Sequence, residues 1–375
     1  GELLSVSPIC YLLFAICYLL VANEPRASSC YRPHLRLQEN PFRKGAMDTR
    51  TGVTRREFLR SSLITVAGLA TGVSGASISS PPTLSESLRL VFATDTHLMQ
   101  NNGLRSAEGL AAAVEAIKEL RPRPDLIVCG GDLTHPWPNL DYPAANKLLD
   151  RFLGIWAPLH SIETHYVFGN HDFVGTLNPR VSRHDPRFGK GLFEKRLDLP
   201  RLYYSFEKRG WLFIVLDDVW ANLDGSYYGQ YKADQLDFVQ SELKAHKEKP
   251  TVIASHIPAV SNFGTLLGFA RSIQTNFKHR PSLISRNGKT LVNIIRQSGA
   301  NVKLVLAGHL HHQERMEADG VSYLNGGAIC GNWWKGSMMG CPEGFNVIDL
   351  HPDGSFAIAY KTFGWAWDRS TVSVH

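Results

Sequence analysis

Seven side chains that can bind a metal ion occur at five separate places in the sequence. They are two carboxylates, one amide oxygen and four imidazoles: Asp95, His97, Asp132, Asn170, His256, His309 and His311. Oxygen and imidazole donors suit divalent or mixed-valence ions such as iron, manganese or zinc, and the set holds no thiolate that would favour a softer metal. These residue types predict a metal site.

The number of donors indicates two ions. One tetrahedral ion needs only four ligands, whereas a bridging Asp132 would divide the seven donors into two sets of four. Such a site holds its metals about 3.5–4 Å apart and generates the attacking hydroxide by lowering the pKa of water. Two carboxylates leave about two positive charges uncompensated, so the site favours an anion, and phosphate esters are the obvious class.

Short apolar runs directly precede each group of donors. The runs are Leu88–Ala93, Asp125–Cys129, Thr164–Phe168, Thr251–Ser255 and Val302–Leu306. Each has the length and composition of a buried strand. Ligands collect at the carboxyl ends of strands in an open α/β sheet, so we expect the donors to line one edge.

Helical spacing of apolar residues separates these runs. Leu110, Val114 and Ile117 share one helix face, and Leu236, Val239 and Leu243 share another. This alternation predicts an α/β fold. Residues 88–315 would form the catalytic core, and short runs within 316–375, such as Phe345–Leu350, would complete the same domain as antiparallel strands.

The motifs around the donors resemble those of the calcineurin-like metallophosphoesterases. They are Asp95-x-His97, Gly131-Asp132, Gly169-Asn170-His171-Asp172, His256 and Gly308-His309-x-His311, in that order. The resemblance implies a four-layer α/β/β/α sandwich of two mixed sheets. It implies that Asp95, His97, Asp132 and His311 hold one metal, and that Asp132, Asn170, His256 and His309 hold the other. His171 would face the phosphate and protonate the leaving oxygen or stabilise charge there, and Asp172 would orient His171.

A softer similarity concerns the substrate. Tyr203–Phe206, Phe213–Asp217, Gly229 and Gln235-Leu236 look most like the branch that contains bacterial cyclic-nucleotide phosphodiesterases. A phosphodiesterase is therefore preferred. A phosphomonoesterase is the alternative within enzymes, and a non-catalytic protein that binds a phosphate ligand is the alternative outside them.

Four further residues are candidates for substrate binding. His135 stands where purple acid phosphatases place a tyrosine ligand, which disfavours a tyrosinate-bound iron site. His312 adjoins His311, and Trp333 and Trp334 could stack on a base or sugar ring. Cys330 and Cys341 could form a disulfide after export, and the sequence leaves this open.

The first 87 residues predict export. Residues 47–76 contain Arg55-Arg56 and a weakly apolar run, and they resemble a twin-arginine signal. Residues 1–46 would be a mis-called upstream extension, with a membrane anchor at 3–22 as the alternative, and 77–87 a linker. The expected partner is the twin-arginine export machinery, and the expected location is periplasmic or extracytoplasmic, with retention as a membrane anchor left open.

The net charge of residues 77–375 limits the classes of substrate that the protein could bind. Nine of the 40 Lys and Arg residues and five of the 34 acidic residues precede residue 77, so 31 basic and 29 acidic side chains remain. A nearly neutral body gives no support for binding a nucleic-acid polymer. A small phosphorylated substrate fits this balance, and the oligomeric state stays open.

Overall fold

The computed structural model describes residues 87–222, 224, 226–263 and 282–367. The predicted upstream extension, the export signal and nearly all of the linker lie outside these residues. Within the described part of the chain, no helix has the length and hydropathy needed to cross a membrane.

Fifteen strands and five α-helices make up the described fold. The strands are β1 (Leu88–Ala93), β2 (Leu98–Met99), β3 (Leu126–Cys129), β4 (Thr134–His135), β5 (Glu163–Tyr166), β6 (Tyr204–Lys208), β7 (Trp211–Val215), β8 (Val219–Ala221), β9 (Tyr227–Gly229), β10 (Thr251–Ala254), β11 (Val302–Ala307), β12 (Gln313–Ala318), β13 (Val321–Gly326), β14 (Gly344–Leu350) and β15 (Phe356–Thr362). The helices are α1 (Ser106–Lys118), α2 (Tyr142–Trp156), α3 (Gly191–Arg196), α4 (Ala233–Ala245) and α5 (Gly288–Ser298).

Two mixed sheets carry the site. The first has the strand order β15-β14-β1-β3-β5, and the second has the order β12-β13-β11-β10-β7-β6. Strands β1, β3 and β5 are parallel and in register, so that Ala93, Cys129 and Tyr166 end level with one another. Ala254 of β10 is likewise level with Leu306 of β11. Level strand ends bring the residues that follow them to the same edge.

Apolar side chains divide the fold into four layers. One buried cluster fills the space between the sheets and includes Phe92 from the first sheet and Phe213 from the second. A second cluster packs α1 and α2 on the outer face of the first sheet, and a third packs α4 and α5 on the outer face of the second. The predicted α/β/β/α sandwich is thereby confirmed.

Two small pairings fix the loops at the site edge. Strand β2 pairs in parallel with β4, which joins the loop after β1 to the loop after β3. Strands β8 and β9 form an antiparallel pair between β7 and α4. The strands after residue 316 belong to both sheets: β13 pairs with β11 and β14 pairs with β1.

Candidate metal centre

The donors from all five places meet where the two sheets end. The backbone N–H of His309 donates to Asp95 Oδ2 (2.8 Å), and His256 Nδ1 lies 2.8 Å from the Gly130 carbonyl. Each of these contacts joins a loop of one sheet to a loop of the other. Asp95, His97 and His256 are 0% exposed, and Asp132 is 1% exposed, so the donors face one another rather than solvent.

The first predicted ligand set is close together. His97 Nε2 lies 3.0 Å from His311 Nε2 and 3.4 Å from Asp132 Oδ2. His311 Nε2 lies 3.4 Å from Asp95 Oδ1. Four ligand atoms from three loops therefore surround one point.

The second predicted set meets on the other side of Asp132. His256 Nε2 lies 3.0 Å from Asn170 Oδ1 and 3.3 Å from Asp132 Oδ2. Asp132, His256 and His309 also have nitrogen or oxygen atoms within 4.8 Å of one another. Asp132 Oδ2 thus stands between His97 of one set and His256 of the other, which is the position that a bridging ligand requires.

Hydrogen bonds to the backbone select the nitrogen that each imidazole presents. Nδ1 of His256 donates to the Gly130 carbonyl and Nδ1 of His311 to the Gly331 carbonyl, which leaves Nε2 of both rings facing the donor cluster. His309 is reversed, because its Nε2 lies 2.6 Å from the Ser282 carbonyl and leaves Nδ1 as the free nitrogen. Such outer hydrogen bonds fix the tautomer of a metal-binding histidine.

Charge within the cluster shifts its pKa values. Burial raises the pKa of Asp95, but His311 and His97 outweigh burial and hold it well below its usual range. Burial lowers the pKa of His256, yet the Asp132 carboxylate raises it to about 10. The pKa of His311 is also raised well above its usual value, against burial, by Cys330 and Asp95. Protons on these two imidazoles balance the carboxylates when no cation is bound.

The residues fit a cation. Asp95 Oδ1 is buried and has no hydrogen-bond partner among the described residues, whereas Asp95 Oδ2 accepts hydrogen bonds from Thr94 Oγ1 and the His309 N–H. A buried carboxylate oxygen that accepts no hydrogen bond costs free energy unless a cation satisfies it, which is the His311 imidazolium, 3.4 Å away, in the metal-free protein and would be the metal ion in its place. Oxygen and imidazole donors around it suit the divalent metals predicted from the sequence.

The backbone of the site is unusual in a consistent way. Five of the seven donors have positive φ, between 39° and 72°: Asp95, His97, Asp132, His309 and His311. Residues other than glycine adopt this left-handed region rarely, and such residues concentrate at functional sites. A Cβ on Gly169 would lie 2.2 Å from Asp132 Oδ1, and one on Gly308 would lie 2.5 Å from Asp95 Oδ2. The motif glycines therefore let the loops approach the two carboxylates.

His171 lies beside the first ligand set, but Asp172 does not orient it as expected. The Asp172 carboxylate instead accepts hydrogen bonds of 2.9 Å from the backbone N–H groups of Gly169, Asp132 and Leu133. His135 contacts His171 directly, with their Nδ1 atoms 3.0 Å apart. Asp172 thus stabilises the loop that carries Asp132, and His135 orients His171. Both imidazoles are half-buried.

Burial keeps both of these imidazoles neutral. Burial holds the pKa of His171 well below its usual range, Asp132 opposes this shift, and His97 and His135 add to it. Burial, with His97, lowers the pKa of His135 to about 4. At neutral pH His171 therefore offers an N–H hydrogen bond rather than a full positive charge.

The two tryptophans have different environments. The Trp333 ring lies over the site, with its centroid 4.0 Å from that of His97 and 5.0 Å from that of His171. Trp334 is 0% exposed, packs against Gly109 and donates its indole N–H to the His97 carbonyl. The prediction that Trp334 contacts substrate is therefore wrong, because its ring is buried in the core.

The His312 ring lies beside Phe263, with the two ring centroids 5.6 Å apart.

Two neighbours of the donors are not predicted from the sequence. Tyr227, on β9, places its ring 5.7 Å from His309, edge to face. Cys330 is a buried free thiol whose Sγ lies 3.6 Å from His311 Nδ1, and Cys341 is also free, so the disulfide left open is not formed. Neither neighbour follows a strand that carries donors, so no positional signal in the sequence marks them.

The chain is similar to known phosphoesterases. The model of the calcineurin-like phosphoesterase family matches residues 88–313. A 3',5'-cyclic-nucleotide phosphodiesterase of Nostoc sp. is 27% identical over 70% of this chain and 88% of that protein. A cAMP/cGMP dual specificity phosphodiesterase of Mycobacterium tuberculosis is 24% identical over 70% of this chain and 76% of that protein.

A solved structure shares the fold. A dimetal phosphatase from Danio rerio superposes on this chain with a TM-score of 0.52 at 15% sequence identity. The superposition covers 75% of this chain and 99% of the phosphatase chain. At that identity the likeness concerns the arrangement of sheets and helices.

Proposed function

Because the chain belongs to the calcineurin-like phosphoesterase family, we propose that it hydrolyses phosphodiesters of the cyclic-nucleotide type at the centre described above. The chain is a metal-dependent hydrolase of phosphate esters, and the diester is the finer part of the proposal. That part is supported by the names of the relatives from Nostoc and Mycobacterium tuberculosis.

One observation carries the proposal. Asp132 Oδ2 lies 3.4 Å from His97 Nε2 and 3.3 Å from His256 Nε2, between two groups of buried ligand atoms. Packing alone gives no reason to bury two carboxylates and three imidazoles together, because buried charges need partners.

Each of the two groups of ligand atoms is assigned to one metal ion. Asp95, His97, Asp132 and His311 would hold one metal, and Asp132, Asn170, His256 and His309 would hold the other. Iron, manganese and zinc all suit these donors. When bound, such a metal pair supplies a water of lowered pKa and offsets charge on the phosphate oxygens.

The side chains around the donors position the reactants. His171 lies beside the first set, where its N–H can donate a hydrogen bond to the leaving oxygen and stabilise the charge that develops there. His135 fixes the position of that N–H, because donation from His135 Nδ1 to His171 Nδ1, 3.0 Å apart, would leave the proton of the neutral His171 ring on Nε2. Asp172 holds the backbone of Asp132 and so keeps the shared carboxylate in place.

Turnover of matched substrates tests the diester proposal. The manganese-loaded protein should hydrolyse cyclic AMP and bis(p-nitrophenyl) phosphate faster than p-nitrophenyl phosphate. Asp132→Asn should abolish both activities, whereas the control variant His160→Ala should not change them, since His160 is exposed and precedes β5 at the opposite edge of the sheet. Faster hydrolysis of the monoester would instead identify a phosphomonoesterase.

We also propose export through the twin-arginine pathway. Support comes from the sequence Thr54-Arg55-Arg56-Glu57-Phe58-Leu59 and the weakly apolar run that follows it, all outside the described residues. Replacing Arg55 and Arg56 with lysine should retain the protein in the cytoplasm. An unchanged distribution between cell fractions would contradict the proposal.

A further inference from the structure

We propose that Trp333 determines which leaving groups the site accepts, by forming an aromatic wall beside His171. The inference rests on the proposed hydrolysis and adds the part of the substrate that is recognised. It concerns the organic group that departs, rather than the phosphate.

The position of the indole is the first observation. The Trp333 ring centroid lies within 5.1 Å of the centroids of four imidazoles: His97, His135, His171 and His311. Two of these belong to the first ligand set, and the other two are the pair beside it. Trp333 is only half-buried, in contrast to its neighbour Trp334, so part of its surface faces the approach to the site.

The loop between β13 and β14 is built to hold the ring there. The N–H of Ile329 donates to the Thr94 carbonyl and the N–H of Cys330 to the Asp95 carbonyl, which fastens the loop to the end of β1. Trp334 anchors it below, through its buried ring and its hydrogen bond to the His97 carbonyl. Trp333 itself has a φ of 55°, a conformation that a bulky residue adopts only where the surrounding structure imposes it.

The chemistry of the step explains why the wall concerns the leaving group. A group that assists departure must come within about 2.6–3.2 Å of the leaving oxygen. The ring centroid of Trp333 is 5.0 Å from that of His171, so a substituent on that oxygen passes beside the indole. Indole faces favour offset or edge contact with planar rings. A leaving group with a ring should therefore gain affinity, and a small alkyl group should not.

Two substrates and two variants test this. Methyl phenyl phosphate releases a planar ring, and methyl trifluoroethyl phosphate releases a small alkoxide, while the methyl substituent is common to both. Trp333→Leu removes the aromatic face and Trp333→Phe retains one. Both replacements keep a Cβ, so the demand for a left-handed backbone is unchanged.

With the full-length, manganese-loaded protein, Trp333→Leu should lower kcat/KM for the phenyl ester roughly 5- to 10-fold and for the trifluoroethyl ester less than about 2-fold. Trp333→Phe should retain the preference for the phenyl ester. Equal losses on both esters, or no loss, would contradict the inference while leaving hydrolysis intact. Hydrolysis of cyclic AMP but of neither ester would also contradict the inference. A wild-type protein that binds two metals per chain but hydrolyses neither of these esters nor cyclic AMP would overturn the proposed function, and the inference with it.

Discussion

Protons and metal ions compete for the same atoms in this site. In the metal-free protein His256 has a pKa of about 10, and the pKa of His311 is also raised, so both imidazoles are protonated at neutral pH. A metal binds only the deprotonated imidazole. Metal binding must therefore displace the protons of these two imidazoles, which the Asp132 and Asp95 carboxylates stabilise.

This competition gives a measurable prediction. Loading two manganese ions at pH 7.5 should release at least two protons per chain, one from His256 and one from His311, besides the proton lost by a metal-bound water that ionises. Because fewer protons compete at higher pH, metal affinity should rise with pH up to about 10, the pKa of His256. Calorimetric titration in buffers of different ionisation enthalpy measures the release directly. Release of fewer than two protons would contradict protonation of both imidazoles in the metal-free protein.

The pairing of His135 with His171 predicts a coupled effect of mutation. His171→Ala should leave both metals bound and lower kcat by about 10²- to 10⁴-fold, the range typical of such groups. His135→Ala should lower kcat by about 10-fold, because it acts through the orientation of His171.

The double variant distinguishes this from a structural role. If His135 acts only through His171, then adding His135→Ala to His171→Ala should cause no further loss of kcat. Independent, multiplying losses would contradict the positioning role that we assign to His135.

For single residues, the sequence identified the metal donors more reliably than it identified which side chains contact one another. The donors were identifiable because each follows an apolar strand, and strand ends meet. The contact of His135 with His171 joins residues 36 positions apart on two loops, and no periodicity encodes it. Trp333 and Trp334 are adjacent residues of the same type, so the sequence does not show which one is buried. In the structure the Trp334 ring packs against Gly109 and is buried.

Secondary-structure elements position the donors through close contact as well as hydrogen bonds. Gly169, in the loop after β5, lies against Asp132, whereas Gly154 is exposed in α2 and a Cβ added there would have nothing within 4 Å. Replacement with alanine should therefore stabilise the protein at Gly154 and disrupt the metal site at Gly169.

Gly154→Ala should raise the free energy of unfolding by about 0.5–1 kcal/mol, because alanine restricts the unfolded chain and favours helix. Gly169→Ala should lower metal content and activity, since its Cβ would lie 2.2 Å from both the backbone nitrogen and Oδ1 of Asp132. Thermal unfolding and metal analysis of both variants check this. Full metal content in Gly169→Ala would contradict the role given to that contact.

Some elements carried too weak a pattern to predict. Strand β12 is an edge strand with the composition Gln-Glu-Arg-Met-Glu-Ala and is largely exposed, so it has no apolar run. The buried strands β1, β3, β10 and β11 were predicted to within one residue at either end, because their side chains are almost wholly apolar. These strands were predictable because a buried strand requires a run of apolar residues, which the sequence shows directly.

At the scale of the whole molecule, the site depends on both sheets and on both ends of the described fold. Strand β14 pairs with β1 and β13 pairs with β11, although each comes from the last 60 residues of the chain. The loop between them also places Trp333 over the site. Without these strands, β1 and β11 would become unprotected edges.

Truncation tests this dependence. Residues 78–375 form a compact unit and should fold and bind two metals when expressed alone. Residues 78–315 lack β13, β14, β15 and the second half of β12, and they should yield no cooperative thermal transition. A cooperatively folded, metal-binding protein that ends at residue 315 would show that the later strands are dispensable.

Anomalous diffraction from crystals of the manganese-loaded protein tests the central claim most directly. We expect two manganese peaks about 3.5–4 Å apart, with the Asp132 carboxylate in contact with both. One peak should adjoin Asp95, His97 and His311, and the other Asn170, His256 and His309. A single peak, or two peaks that do not share Asp132, would contradict the dimetal centre.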